Sequence, residues 1–129
     1  MTGDRPLPLL IIEDEAAVLS FLKAALERSG YDVVTAACGD EGLRLLQTQS
    51  FRGVVSDMRT PGRVNGADVH RWLQQNRPGM AEKILFITGD TVNEETLKIL
   101  EKTGVPCIEK PFRVQQLLTM VKKVIGEAK

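Results

Sequence analysis

The 129-residue chain has the length and composition of one ordinary globular domain, with 43% hydrophobic and 26% charged residues. Seventeen basic residues balance seventeen acidic ones, which excludes both the basic footprint of a nucleic-acid binder and a charged membrane-binding tail. The apolar runs are too short to span a membrane and no charged-then-apolar leader opens the chain, which predicts a cytoplasmic protein. In such a protein Cys38 and Cys107 are expected to be free thiols.

Strand-type patterns recur along the whole chain. Residues 7–12 form a short continuous apolar run, which is typical of a strand buried on both faces. Four similar runs predict further strands at 31–36, 51–56, 83–88 and 105–109.

Helical periodicity follows each predicted strand. The first helix has apolar residues at i, i+3, i+4, i+7 and i+8, namely Val18, Phe21, Leu22, Ala25 and Leu26. The others are predicted at 40–49, around Val69, Trp72 and Leu73, at 94–104, and from Val114 through Leu117 and Leu118 to Val121. Gly30 and Gly104 stand where a helix end favours a left-handed residue, and Pro78 and Gly79 are predicted to break the third helix.

Five strands alternating with five helices predict an α/β fold of one domain over residues 1–129, with a core at about 7–126. This alternation implies parallel pairing, right-handed crossovers and helices on both faces of the sheet. In open sheets of this kind, sites form outside the carboxyl ends of the strands.

Chemically active side chains follow four of the five predicted strands. They are Glu13, Asp14 and Glu15 after the first, Asp57 after the third, Thr88 after the fourth and Lys110 after the fifth. Each of these residues alone is more often a turn, cap or solvated surface residue. Their joint placement at one edge of the sheet indicates a site.

The chemistry open to this set is narrow. Neighbouring carboxylates repel, and oxygen-only ligands with room for water suit Mg²⁺ better than a softer metal. A carboxylate can attack phosphorus as a nucleophile, while Lys110 and Thr88 hold the remaining phosphoryl oxygens. The sequence therefore favours phosphoryl transfer onto an aspartate.

On these residues the chain resembles the receiver domain of two-component response regulators, over essentially its whole length. The resemblance rests on the acidic pair after strand one, Asp57 in "GVVSDMRTPG", Thr88 in "FITGD" and "KPF" after strand five. It implies a flavodoxin-like sandwich with strand order 2-1-3-4-5. The motif "ITGDT" and the loop "TPGRVNG", one residue longer than the commonest form, also resemble receivers attached to hybrid histidine kinases.

The resemblance implies a role for each acidic residue. Asp57 corresponds to the phosphoacceptor, Asp14 to a direct Mg²⁺ ligand, and Glu13 to the partner acid that acts through water. Asp57 itself and the backbone carbonyl of Arg59 complete the implied metal shell. Glu13 is a departure, because aspartate is frequent at that position.

The resemblance also implies how the phosphoryl group is held and sensed. Thr88 corresponds to the hydroxyl that turns toward it, and Lys110 to the lysine that pairs with it, with a cis peptide before Pro111. Cys107 stands where many members carry a switching Tyr or Phe, so the switch is expected at the fourth strand and the following helix. Arg59 and Asp90 are expected to pair at the pocket mouth and tune the phosphoryl lifetime.

The implied activity is a phosphorelay. A histidine kinase or histidine phosphotransfer protein would donate the phosphoryl group with Mg²⁺ as cofactor, and a downstream protein would read the switched state. Hydrolysis would end the signal. Because the domain would act only on itself, it is not predicted to be an enzyme, and no nucleic-acid or membrane partner is predicted.

Three other readings stay open from the residues. A small-molecule phosphohydrolase would place its nucleophile in a D-x-D after strand one, where this chain has "EDE". A flavin carrier would need a phosphate loop there, which three carboxylates would repel. A degenerate receiver would lack part of the acid, Thr and Lys set. His70 is predicted to be a partly exposed structural histidine and not a phosphodonor.

Overall fold

The computed structural model describes residues 7–89 and 94–128, in which strands and helices alternate along the chain. The strands are β1 (Leu9–Ile12), β2 (Val33–Ala36), β3 (Gly53–Asp57), β4 (Ile84–Thr88) and β5 (Cys107–Glu109). The helices are α1 (Ala16–Arg28), α2 (Gly39–Thr48), α3 (Gly66–Asn76), α4 (Pro78–Ala81), α5 (Glu94–Thr103) and α6 (Val114–Val124). Each observed strand overlaps the apolar run that predicted it.

The five strands form one parallel sheet in the order β2-β1-β3-β4-β5, which confirms the expected fold class and order. Strand β1 lies between β2 and β3, and its Leu9 is level with Val33 on one side and Gly53 on the other. Every residue of β1, β3 and β4 is buried, as expected for strands covered on both faces.

The two faces of the sheet carry separate apolar clusters, because successive side chains of a strand point to opposite sides. Leu9 and Ile11 of β1 belong to the layer packed under α1 and α6, whereas Leu10 and Ile12 belong to the layer under α2 and α3. The first layer includes Leu22, Leu26, Leu85, Leu117 and Val121, and the second includes Leu46, Val69, Leu73 and Phe86. The result is a three-layer sandwich.

Two of the predicted helix ends are confirmed by backbone angles. Gly30 follows α1 with a φ of 96°, and Gly104 follows α5 with a φ of 67°. These left-handed conformations are ones that glycine adopts without a Cβ clash. At the start of α3, Asn65 and Asp68 form a reciprocal capping box with bonds of 2.9 and 3.0 Å.

The described residues contain one helix more than the five predicted, because the short helix α4 begins where only a break was expected. Pro78 interrupts α3 but occupies a first-turn position of α4, where its missing N–H has no helical partner to lose. The N–H groups of Met80 and Ala81 donate to the carbonyl of Arg77 at 2.9 and 3.2 Å and close this turn.

The prediction that His70 is partly exposed is also wrong, since it is only 5% exposed. Its ring meets Phe86 edge-on at 6.4 Å and donates a hydrogen bond to the carbonyl of Ala81 in α4. Burial lowers the pKa of His70, and this hydrogen bond opposes the effect only in part. The residue is structural, as predicted, but belongs to the interior.

The C-terminal residues are tied to the amino end of the sheet. The Tyr31 hydroxyl donates to the carbonyl of Gly126 at 2.6 Å, and Arg52 lies over the Tyr31 ring at 5.4 Å. The Arg52 guanidinium also donates to the carbonyls of Glu127 and Ala128. In the ranges 7–89 and 94–128, no helix combines the length and apolarity needed to cross a membrane.

Candidate functional site

The register of the sheet brings the predicted residues to one edge. Pairing of β1 with β3 makes Glu13 and Asp57 the next residues beyond the last paired row of these adjacent strands. Thr88 ends β4 one residue beyond the level of Asp57, and Lys110 directly follows β5. Four separate segments therefore deliver side chains to the same place, as the carboxyl-end rule predicts.

The acidic cluster at this edge consists of Glu13, Asp14 and Asp57. One carboxylate oxygen from each lies within 4.8 Å of the others. Glu13 is fully buried and Asp57 is 8% exposed, whereas Asp14 is exposed. Backbone N–H groups orient the two buried carboxylates: Glu15 donates to Glu13 Oε2 at 3.0 Å, and Arg59 donates to Asp57 Oδ1 at 3.1 Å.

The Lys110 ammonium lies among these carboxylates. Its Nζ is 2.9 Å from Asp57 Oδ2, 3.1 Å from Glu13 Oε1 and 3.5 Å from Glu15 Oε1. Partial burial alone would lower the pKa of Lys110, but the hydrogen bond to Asp57 and the charges of Asp57 and Glu13 outweigh it and raise that pKa above its usual value. Lys110 is therefore held in its charged form and balances part of the acidic charge.

Glu13 Oε1 shows that this balance is incomplete. The atom is close to Lys110 but receives no aligned hydrogen bond, and it is the buried side-chain oxygen left without one among the described residues. Burial raises the pKa of Glu13, and the charge of Asp57 raises it further, against the opposing effects of the Glu15 N–H and Lys110. A buried oxygen with a free lone pair, beside two further carboxylates, fits a divalent cation.

Thr88 and Cys107 lie on neighbouring strands behind this cluster. Thr88 is 2% exposed and its carbonyl accepts the Lys110 N–H at 2.7 Å, which places the start of the lysine side chain. The Cys107 thiol is half-buried and free, like that of Cys38, so both predicted free cysteines are confirmed. Burial, together with the charges of Glu109 and Asp57, raises the pKa of Cys107 to about 11.

The remaining expectations about the site concern the peptide bond before Pro111 and the roles of Arg59 and Asp90. The peptide bond between Lys110 and Pro111 is cis, as the resemblance implied. Arg59 is exposed beside Asp57, and the metal-binding role of its carbonyl stays a prediction. Asp90 lies outside the described residues, so its pairing with Arg59 also stays a prediction.

The sequence did not reveal how the long loop after β3 is held. Thr60 Oγ1 accepts the Gly39 N–H at 3.0 Å and donates to the Val64 carbonyl at 3.1 Å, while Asp40 Oδ1 accepts the Val64 N–H at 3.3 Å. A Cβ added at Gly39 would lie 2.3 Å from the Val64 carbonyl oxygen. Gly39 at the start of α2 was the feature of the sequence that could have indicated this packing, because only a residue without a side chain lets the Val64 carbonyl come so close to the backbone of α2.

The parallel sheet and its acidic, lysine-bearing edge define the class of phosphoacceptor signalling domains. The family model described as response regulator receiver domain matches residues 9–122, and the chain belongs to this family. It is a receiver domain of two-component response regulators, a class that accepts a phosphoryl group on an aspartate and interacts with histidine kinases or phosphotransfer proteins. Members bind Mg²⁺ in an acidic pocket, and this chain has an acidic cluster of that kind.

Individual relatives agree with this assignment. The chain is 30% identical to the alkaline phosphatase synthesis transcriptional regulatory protein PhoP of Bacillus subtilis over 91% of its own length, but covers only 48% of that protein. Among solved structures, it resembles a CheY-like receiver domain protein of Methanospirillum hungatei (TM-score 0.80, 29% identity, 92% of each chain). A receiver domain protein of Clostridium thermocellum is similar as well (TM-score 0.77, 30% identity, 92% of this chain and 94% of that one).

Proposed function

We propose that Asp57 is the phosphoacceptor of a phosphorelay and that Glu13, Asp14 and Asp57 hold the Mg²⁺ this reaction needs. The observation that carries the proposal is the position of Asp57, which ends β3 with Oδ2 2.9 Å from the Lys110 ammonium and a buried Glu13 beside it. A carboxylate so placed is open to the carboxyl edge of the sheet, where a donor can reach it.

The reaction we propose is an in-line displacement at phosphorus. An Asp57 carboxylate oxygen attacks as the P–N bond of a phosphohistidine breaks, and the electron pair of that bond returns to the donor imidazole. The Lys110 ammonium, which contacts Asp57 Oδ2 before the reaction, would move to a phosphoryl oxygen. The buried Thr88 hydroxyl would donate a hydrogen bond to another phosphoryl oxygen. Bound Mg²⁺ would supply charge neutralisation for the carboxylates and the phosphoryl oxygens.

Hydrolysis of the aspartyl phosphate would later restore the carboxylate, so the domain would be both substrate and catalyst of its own reaction and not an enzyme toward other molecules. We also propose that Arg59 and Asp90 set the rate of this hydrolysis, and that the segment after β4 transmits the signal without an aromatic residue at Cys107. The family supports a kinase or phosphotransfer partner in the cytoplasm.

The test is labelling with acetyl phosphate, followed by intact-mass spectrometry and peptide mapping, in Mg²⁺ or in excess chelator. We expect one phosphoryl group on Asp57, in an acid-stable and base-labile linkage, with Mg²⁺ only. Asp57→Asn should abolish it, while Asp32→Asn, an exposed aspartate at the other end of the sheet, should not. Undiminished labelling of Asp57→Asn would contradict the proposal, as would catalytic turnover of a generic phosphate ester.

A further inference from the structure

Glu15 is an acid at the mouth of the site to which neither the metal cluster nor the proposed chemistry gives a role. It is the N-cap residue of α1, a position where a short polar side chain such as that of Asp or Ser usually accepts a hydrogen bond from the first helical turn. Here no such capping bond forms. The carboxylate lies instead over the pocket, with Oε1 3.5 Å from Lys110 Nζ.

The backbone holds Glu15 in this place from both sides. Its N–H donates to the buried Glu13 Oε2 at 3.0 Å, and its carbonyl accepts the Leu19 N–H at 2.9 Å. Its side chain remains 63% exposed, so it contributes little to the raised pKa of Lys110, which comes from Asp57 and Glu13. The backbone of Glu15 is therefore fixed at the rim, and its exposed carboxylate is a charge at the entrance more than a structural ion-pair partner.

The negative charge of Glu15 is in excess of what a bound cation and Lys110 would neutralise. Among the described residues, the group able to hold a metal consists of Glu13, Asp14 and Asp57. A divalent cation and the Lys110 ammonium would together match the three negative charges of that group. The charge of Glu15 is then left at the entrance that a negatively charged phosphodonor must pass.

This surplus charge acts on the incoming donor. Glu15 Oε1 and Asp57 Oδ2 contact the same ammonium, so these two oxygens are at most about 6.4 Å apart, a distance at which unit charges still interact appreciably. Charges at a rim act mainly on association rates and on their salt dependence. The repulsion grows with the charge of the donor, so it discriminates between donors that carry the same phosphoryl group.

We propose that Glu15 is a specificity-determining residue that slows phosphorylation of Asp57 by doubly charged free phosphodonors relative to singly charged ones. This inference rests on the proposed function of Asp57. It gives the domain a bias against small acyl phosphates, and it favours a phosphohistidine presented by a protein whose own basic side chain can face Glu15.

The test compares Glu15→Gln with the unmodified chain at saturating Mg²⁺, using acetyl phosphate as the dianionic donor and phosphoramidate as the monoanionic one. At ~20 mM salt we expect Glu15→Gln to raise the rate with acetyl phosphate about three- to tenfold, and the rate with phosphoramidate by a smaller factor. At ~500 mM salt, where the Debye length is only a few ångströms, the two proteins should differ by less than about twofold.

The matched control is Glu27→Gln, which removes the same charge from the other end of α1. Glu27 is 46% exposed and pairs with Lys23 at 3.2 Å. It lies ~18 Å along the helix from Glu15, about three times the distance over which Glu15 faces Asp57, and its charge is offset by Lys23. Its replacement should leave both rates unchanged, and the melting temperatures of both variants should stay within about 2 °C of the unmodified chain.

Equal rates for Glu15→Gln and the unmodified chain would overturn the inference while leaving labelled Asp57 as the acceptor. An increase that is the same for both donors, or that persists at high salt, would also overturn it. If the unmodified chain is not labelled on Asp57, the proposed function fails and the inference fails with it.

Discussion

Replacing Lys110 with methionine tests whether its ammonium holds the acidic pocket together. Lys110→Met keeps most of the aliphatic stem but removes the charge that lies 2.9 Å from Asp57 and 3.1 Å from Glu13. The two carboxylates, with side chains only 10% and 0% exposed, are then left together without the ammonium that balances them. Breaking a buried ion pair on one side typically costs about 3–5 kcal/mol, and the open rim of this pocket favours the lower end of that range.

The measurement is urea unfolding at pH 7, in chelator and in ~10 mM Mg²⁺. Because the folded-state pKa of Lys110 is raised, its contribution to stability is fully present below its unfolded-state pKa and is lost only at alkaline pH. The loss of about 3 kcal/mol should therefore be complete at pH 7. Mg²⁺ should recover at least half of it, since a cation can replace the missing charge.

The control is Lys23→Met, which removes an ammonium 3.2 Å from Glu27 where both side chains are nearly half exposed. An exposed i,i+4 pair contributes only about 0.3–0.5 kcal/mol, so this variant should be close to unmodified stability with or without Mg²⁺. Similar losses of stability in Lys110→Met and Lys23→Met would show that the Lys110 charge does not hold the pocket together. A deficit of Lys110→Met that Mg²⁺ leaves unchanged would show the same, because the loss would then reflect packing of the stem.

Three further predictions concern residues that do not belong to the acidic cluster. Because burial lowers the pKa of His70, its stabilising contribution is present above the unfolded-state pKa of 6.5 and is lost as pH falls. Between pH 7 and 5 the melting temperature should therefore fall more steeply for the unmodified chain than for His70→Gln. Parallel melting profiles of the two proteins would contradict this. Tyr31→Phe should cost about 1 kcal/mol in urea unfolding, because the Gly126 carbonyl loses its donor, and an unchanged midpoint would speak against that bond. Because its pKa is raised to about 11, Cys107 should react with iodoacetamide at pH 7.5 at least ~10-fold more slowly in the folded than in the urea-unfolded chain. Equal rates by peptide mass spectrometry would contradict the raised pKa.

The strands of the sheet were predictable because they are short apolar runs. The residues at which they begin and end, and their order in the sheet, were harder to predict. Apolarity predicted a strand from residue 31, whereas Tyr31 donates its N–H to Leu26 and closes α1 before β2 can begin. The strand order came from the family resemblance and not from periodicity. Pro78 was interpreted only as a breaker because the pattern of a single helix does not show that a second helix can start at the same proline.

The convergence of the site was predictable for a similar reason, since parallel strands must place their carboxyl ends together. The sequence could not show that Glu13 is fully buried with one unbonded oxygen, because that depends on register and on the path of the neighbouring loops. Nor did the sequence assign a role to Glu15, because the conformation that directs its carboxylate toward Lys110, and not toward the first turn of α1, depends on the tertiary structure. Local patterns located the site, and tertiary geometry determined its charges.

The strand order has a consequence for the chain as it is synthesised. Because β1 lies between β2 and β3, the first three strands can pair as soon as residue 57 is available, whereas β4 adds afterwards to the exposed edge of β3 and β5 then adds to β4. Synthesis runs from residue 1, so β1 and β3 are available to pair, and to bring Glu13 and Asp57 together, well before Lys110 has been made. In a nascent receiver the two carboxylates would then lack the Lys110 charge, and divalent cations in the surrounding solution would be the first partners able to neutralise them.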